Sequence, residues 1–144
     1  SAILTPAVMT LFQRYSLSDQ AHSYRVMALL RSQGEAEPVL LAAALLHDIG
    51  KTRVRLTIWD RVWVVLGQPF FRGEADVAER PFGWRKAFVV KQNHAAWGAD
   101  MLAAAGSDPR LVALVAHHQD KQTEALSADE RRLLRRLQWA DDQN

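Results

Sequence analysis

Histidine and aspartate are spaced along this 144-residue chain in a pattern that suits metal binding. Imidazole nitrogens and carboxylate oxygens are the ligands that borderline and hard divalent ions prefer, and the set is large enough for two ions if Asp48 bridges them. One histidine on a helix face is more often packed or solvated than a ligand, so the prediction depends on the whole set. The candidate ligands are all five histidines and two aspartates: His22, His47, Asp48, His94, His117, His118 and Asp141.

The amino-acid composition limits the kind of metal site and the kind of protein to which these candidate ligands can belong. Cysteine is absent, so a metal must be held by nitrogen and oxygen, and neither a disulfide framework nor a cysteine nucleophile is available. Hydrophobic residues make up 49% and charged residues 24%, as in ordinary globular proteins. We expect a single domain over residues 1–144, with the motifs in a core at 18–142. No run reaches the roughly 18 apolar residues of a membrane span, and no signal peptide is evident, which predicts a cytoplasmic protein without a membrane partner.

The basic residues form two groups, although the net charge is only +2. Lys51, Arg53 and Arg55 lie beside the candidate site, where a phosphate group could use them. The arginines at 131–136 follow two acidic residues and are typical of a solvated helix face. Nucleic acid is therefore not expected as a partner.

The elements that must position these residues are predicted to be helices throughout. Thr5 and Pro6 are typical of a helix start, and the next helix covers 18–33 and ends at Gly34. Pro38 opens a third helix to Leu46 that is apolar on every side and therefore buried. Gly50 ends it just past His47 and Asp48, and a helix end is where adjacent side chains can aim at one cluster.

The second half of the chain continues the helical pattern. A helix is predicted from Gly83 to Gly106, with a break at Asn93 as a cap. Asp108 and Pro109 start another that runs to residue 118, and a Ser127–Glu130 capping box starts the last one, which ends near residue 141. The predicted fold class is all-α, a single-domain bundle of about six to seven helices.

Residues 52–82 are the least regular part. Ile58–Leu66 suggest an amphipathic helix, and the glycines and prolines from Gly67 to Pro81 suggest a loop, so this segment is a candidate lid or partner-binding face. Its tryptophans are more often core residues than a substrate box. The apolar residues around Trp63 leave two alternatives, a homodimer surface or burial within the monomer.

Residues 42–51, Ala-Ala-Ala-Leu-Leu-His-Asp-Ile-Gly-Lys, resemble the defining motif of the HD superfamily of metal-dependent phosphohydrolases. The resemblance covers His22 to Asp141, nearly the whole chain. It implies one or two divalent ions (Fe, Mn, Zn, Ni or Mg), with Asp48 as the bridge. The first site would use His22, His47, Asp48 and Asp141, and the second His94 with His117 or His118; neighbours on a regular helix point apart, so the sequence does not choose between the last two.

The same resemblance implies cleavage of a phosphoester or nucleotide phosphate bond by hydroxide generated at the metal, in a small phosphorylated substrate such as a nucleotide. Asp48 and Lys51 are the candidate catalytic residues; Lys51 would stabilise phosphoryl charge, or else serve only as a lysine at a helix end. Arg25 and Arg55 are candidate phosphate-binding residues, and a surface ion pair is the alternative for Arg25. Three further candidates are weaker: Arg53 and Lys91 for phosphate, with a solvated side chain as the alternative, and Asp120 for orienting a ligand histidine, with a helix-end or loop role as the alternative.

Departures from the family pattern leave the substrate open. The branch that hydrolyses cyclic dinucleotides carries Gly-Tyr-Pro after its His-His pair, whereas this chain continues with residues 119–122 as Gln-Asp-Lys-Gln. The size and ligand order are similar to those of small bacterial dinucleoside-polyphosphate hydrolases. Two other functions remain as alternatives: a di-iron oxygenase of the same superfamily, and a non-catalytic metal- or nucleotide-binding module that signals through Trp59–Phe71.

Overall fold

The structure, a computed structural model, describes residues 3–53 and 82–144, without the side chains of 82–88. Over these ranges it contains helices and no strand, which confirms the all-α prediction. A short 3-10 helix, Ile49–Arg53, follows the third α-helix. The six α-helices are α1 Pro6–Phe12, α2 Leu17–Ser32, α3 Pro38–Leu46, α4 Phe82–Ala104, α5 Pro109–His117 and α6 Ala128–Asp142.

Side-chain caps set the helix starts. The Thr5 hydroxyl accepts a hydrogen bond from the backbone N–H of Val8, and Pro6 follows it at the first helical position, as predicted. Asp108 caps α5 ahead of its proline, also as predicted. The expected capping box at α6 is present, with Ser127 and Glu130 bonding reciprocally. These caps fix where α1, α5 and α6 begin and therefore which of their residues face the interior.

Helix α3 is the buried centre of the bundle. Every residue from Leu40 to Leu46 is buried, and the helix packs against α2, α5 and α6. A helix that is apolar on all sides is stable only when neighbours cover all of it. The helix ends one residue before His47, so its central position places the His-Asp doublet inside the bundle.

Two glycines bring the 3-10 helix against α4. A Cβ added at Gly50 would lie only 1.8 Å from the backbone oxygen of His94, and one added at Gly98 would lie 3.2 Å from the backbone nitrogen of Gly50. Side chains at these positions would force the two elements apart. The close approach therefore positions His94 beside the His-Asp doublet.

The predicted break at Asn93 is wrong, because α4 runs without interruption from Phe82 to Ala104. The Asn93 side-chain amide donates to the backbone oxygen of Val89 one turn earlier, and a continuous helix leaves no free N–H for it to cap. Predictions for Arg55, Ile58–Leu66, the loop to Pro81 and the dimer surface at Trp63 lie outside the described residues. Among the helices that are described, none has the length and hydropathy needed to cross a bilayer.

Candidate metal centre

Six of the seven candidate ligands meet in one cluster inside the bundle, and His117 is the exception. The six residues come from five parts of the chain: α2, the two residues after α3, α4, the residue after α5, and α6. Donor atoms form two groups that share one carboxylate, with the atoms of each group lying within 4.8 Å of one another. These groups are His22–His47–Asp48 and Asp48–His94–His118.

The first group is completed by Asp141 from α6. The Oδ1 atom of Asp141 lies 3.0 Å from Nε2 of His22 and 3.4 Å from Nε2 of His47. The same His47 nitrogen is 3.5 Å from Oδ2 of Asp48. Two imidazoles and two carboxylates therefore converge at the junction of α2, α3 and α6.

The second group uses the other oxygen of Asp48. The Oδ1 atom of Asp48 lies 3.3 Å from Nε2 of His94 and 3.8 Å from Nε2 of His118. The two imidazole nitrogens are 3.2 Å apart. Because Asp48 presents Oδ2 to one group and Oδ1 to the other, it is placed as a bridge between them.

Backbone carbonyls fix the tautomer of the three buried histidines. The Nδ1 atoms of His47, His94 and His118 lie 3.0, 2.9 and 2.8 Å from the carbonyl oxygens of residues 44, 90 and 115. A carbonyl oxygen only accepts, so Nδ1 carries the proton in each ring. In the neutral ring Nε2 then holds a lone pair, and all three lone pairs point into the cluster. Ligand histidines in proteins are oriented in the same way, through the nitrogen that does not bind the metal.

This arrangement fits a cation better than it fits a hydrogen-bonded core. Nε2 of His47 is buried and has no hydrogen-bond partner in the described part of the chain. The lone pairs of His94 and His118 face each other across 3.2 Å, which is repulsive unless a positive species lies between them. Two ligands of one ion with bonds of about 2.1 Å are separated by roughly 3.0 to 3.4 Å, close to most of the distances found here. The residues present therefore suit one or two divalent ions.

The electrostatics favour the ligand forms of most of these groups. Burial lowers the pKa of His118 to about 4, so its ring is neutral at physiological pH. Burial would raise the pKa of Asp48, but the contact with His94 and the charges of His47 and Lys51 hold that pKa far below its usual range. For Asp141, burial acts in the same direction and is outweighed by His47, so its pKa is also lowered.

His47 behaves differently because two carboxylates surround it. Burial lowers its pKa, but the contact with Asp141 and the charge of Asp48 outweigh burial and leave the pKa raised above the ordinary value. A raised pKa means that a cation is favoured at this point, whether a proton or a metal ion. A metal ion must therefore displace a proton from His47 at lower pH.

Lys51 lies at the edge of the cluster. Its Nζ is 2.5 Å from Oδ2 of Asp48, and 38% of its side chain is exposed, so it faces both the bridging carboxylate and solvent. Arg25 is exposed on α2 and forms no ion pair with any residue that the structure describes. The neighbouring Arg53 stacks on the Trp97 ring, with 5.3 Å between its guanidinium carbon and the ring centroid.

The structure shows which of the two adjacent histidines, His117 and His118, belongs to the cluster. His118 is buried in the cluster, whereas Nδ1 of His117 lies 2.7 Å from Oδ2 of Asp120 at the surface. The sequence-based inclusion of His117 among the ligands is therefore not supported, because neighbouring side chains at the end of α5 point apart. Asp120 consequently contacts a histidine outside the cluster and does not orient a ligand. Asp142, the neighbour of Asp141, is exposed.

Two features of the site are not predicted from the sequence. The hydroxyls of Tyr15 and Ser23 are buried without a hydrogen-bond partner in the described residues. Burial first, and the charge of Asp48 second, raise the pKa of Tyr15 well above its ordinary value. A cleft of about 890 Å³ reaches His118 and Asp141 and is lined by Lys91 and Arg135. The sequence makes Lys91 a candidate. It does not single out Tyr15, Ser23 or Arg135, because these residues have no distinctive spacing.

Comparison with known proteins gives one match. A family model described as "HD domain" matches residues 20–142, which contain every residue of the cluster. No curated protein and no solved structure shows significant similarity to the chain.

Proposed function

This chain belongs to the HD domain family, and from that premise we propose that it is a metal-dependent phosphohydrolase that cleaves a phosphoester or nucleotide phosphate bond. The family suggests the reaction class. The residues of this chain support it through one observation: three buried Nε2 atoms, each in a ring whose Nδ1 donates to a backbone carbonyl, converge on the two oxygens of Asp48. A hydrogen-bonded core would not gather three imidazole nitrogens around one carboxylate with two of them, in His94 and His118, only 3.2 Å apart.

The buried residues hold the donors ready for metal. Carbonyl oxygens of α3, α4 and α5 fix the imidazole rings, and the packing of Gly50 against α4 fixes the separation of His47 and His94. When bound, divalent ions supply Lewis-acid stabilisation of phosphoryl charge and a water nucleophile that is active near neutral pH. This chemistry requires no nucleophilic side chain from the protein.

Lys51 is the residue that we expect to stabilise the phosphoryl group. Its ammonium is paired with Asp48, and its side chain is partly exposed at the edge of the cluster. An ammonium at that position can donate to a phosphoryl oxygen whose negative charge increases in the transition state. The pair with Asp48 keeps Nζ close to the metal ligands, so Lys51 needs little rearrangement to contact a phosphate held there.

A phosphate-release panel tests this function. The wild-type protein is loaded in turn with Mn, Fe, Zn, Ni or Mg and assayed with phosphomonoesters, phosphodiesters, nucleoside phosphates and dinucleoside polyphosphates. The matched variants are His94→Ala, within the cluster, and His117→Ala, outside it. We expect metal-dependent release by wild type and by His117→Ala, and a loss of at least about a hundredfold in His94→Ala.

The alternatives give different results in the same preparations. Metal-loaded wild type that releases no phosphate from any substrate would overturn the proposal. Oxygen consumption by the iron-loaded protein would then support a di-iron oxygenase. Nucleotide binding without turnover would support a non-catalytic binding module.

A further inference from the structure

We infer that the cleft beside the metal centre binds a second phosphate group of the substrate through Lys91, Lys121 and Arg135, and so selects linked phosphates over single phosphate esters. This inference depends on the proposed function, because it assumes that a first phosphate is held at the metal cluster. It adds the chemical class of the substrate and the residues that select it.

The cleft opens on both halves of the metal cluster. His118, from the second donor group, and Asp141, from the first, form part of its lining. Lys91 projects into it from α4, Arg135 from α6, and Lys121 from the segment that joins α5 to α6. A phosphate at the cluster would therefore share this cleft with cationic side chains from three elements.

Within the described residues, these three cations are not engaged by acidic neighbours. None of them forms an ion pair with a carboxylate in the parts of the chain that the structure describes, residues 3–53 and 82–144. A fourth lining cation, Arg131, is different, because its guanidinium donates to the backbone oxygen of Leu126. Of the three lining carboxylates, Asp141 belongs to the cluster, Asp120 contacts His117, and Asp142 is exposed at the end of α6.

The size and polarity of the cleft agree with an extended anion. At about 890 Å³ it is in the range of pockets that enclose a whole small-molecule ligand, and a single phosphate would leave most of it empty. Leu134 is the one hydrophobic side chain among the described residues that line it, and none of them is a phenylalanine, tyrosine or tryptophan. This lining offers little to a nucleobase and much to a chain of phosphate oxygens, which lysine and arginine bind by charge-assisted hydrogen bonds.

Calorimetric titration of the metal-loaded protein tests the inference with two inorganic probes in excess Mg²⁺. Orthophosphate presents one phosphate group, and methylenediphosphonate presents two linked groups that cannot be hydrolysed. We expect the two-group probe to bind wild type about tenfold more tightly, since exposed charge contacts contribute roughly two- to fivefold each. The cleft variant, Lys91→Ala/Lys121→Ala/Arg135→Ala, should lose this preference and keep its affinity for orthophosphate within about threefold.

A control variant, Arg14→Ala/Arg31→Ala/Arg132→Ala, removes the same charge from exposed positions that do not line the cleft. It should retain the preference of wild type. Equal affinity of wild type for both probes, or an equal loss of preference in the cleft and control variants, would overturn the inference while metal content and phosphate release stand. If wild type holds no metal, as measured by elemental analysis, the proposed function fails and this inference fails with it.

Discussion

Replacing one of two adjacent histidines should weaken metal binding, and replacing the other should not affect it. His118 is buried with Nε2 pointing at His94 and Asp48, whereas His117 contacts Asp120 at the surface. We therefore expect His118→Ala to weaken metal binding and His117→Ala to leave it unchanged. The two variants differ by one position in the sequence and delete the same side chain, so each is the control for the other.

The size of the effect can be worked from the ligand count. Structural zinc sites with four ligands bind with about 10 to 16 kcal/mol, or roughly 3 kcal/mol per ligand. His118 is one of three donors in its group, so its loss should lower the affinity of that site by about a hundredfold or more. Loss of the exposed His117–Asp120 pair should cost at most about 1 kcal/mol of stability and no metal affinity.

The assay is competition between the protein and a chromophoric chelator for Zn²⁺ or Mn²⁺. Circular dichroism and thermal unfolding of the metal-free variants check that both are folded, because His118→Ala also removes a buried hydrogen bond to the Val115 carbonyl. Equal metal affinity in the two variants, with both folded, would refute the assignment of His118 to the cluster.

Three further perturbations follow from the same geometry. Gly50→Ala should destabilise the protein by roughly 1 to 3 kcal/mol in denaturant titration, because its Cβ would meet the His94 carbonyl at 1.8 Å; unchanged stability would contradict the close packing of the 3-10 helix on α4. Lys51→Gln should lower kcat for phosphate release by about tenfold or more with metal content unchanged, since it removes a cation beside Asp48; an unchanged kcat would leave Lys51 with a structural role. Metal affinity should rise with pH, because the raised pKa of His47 means that its Nε2 keeps a proton below that pKa and becomes a ligand only as pH passes above it; an affinity that is constant between about pH 6 and 8 would contradict this sign.

The sequence predicted the fold class and most helix boundaries because the relevant signals are local. Thr5 with Pro6, Asp108 with Pro109, and Ser127 with Glu130 act within one turn, so no tertiary information is needed to read them. Asn93 was misread because asparagine serves both as a cap and as a residue that bonds its own helix backbone. Only the packing of the whole of α4 decides between these roles.

The site was predictable to a different degree. The order and types of the histidines and aspartates indicated a cluster, but the choice of His118 over His117 depends on the rotation of α5 against α3 and α4. The cleft could not be predicted, because Arg135 belongs to a run of arginines that is typical of a solvated face. Arg135 shares the cleft with Lys91 and His118, which belong to other elements, because of how α6 packs on the bundle, and spacing along one helix does not encode that.

The most direct test of the metal centre is the number of metal ions per chain in three proteins, measured by elemental analysis after purification and dialysis. Asp48 contributes to both donor groups, whereas His22 contributes to one. We expect about two ions per chain in wild type, fewer in His22→Ala, and close to none in Asp48→Ala. Metal content in Asp48→Ala equal to that of wild type, or no metal in wild type, would contradict the shared metal centre.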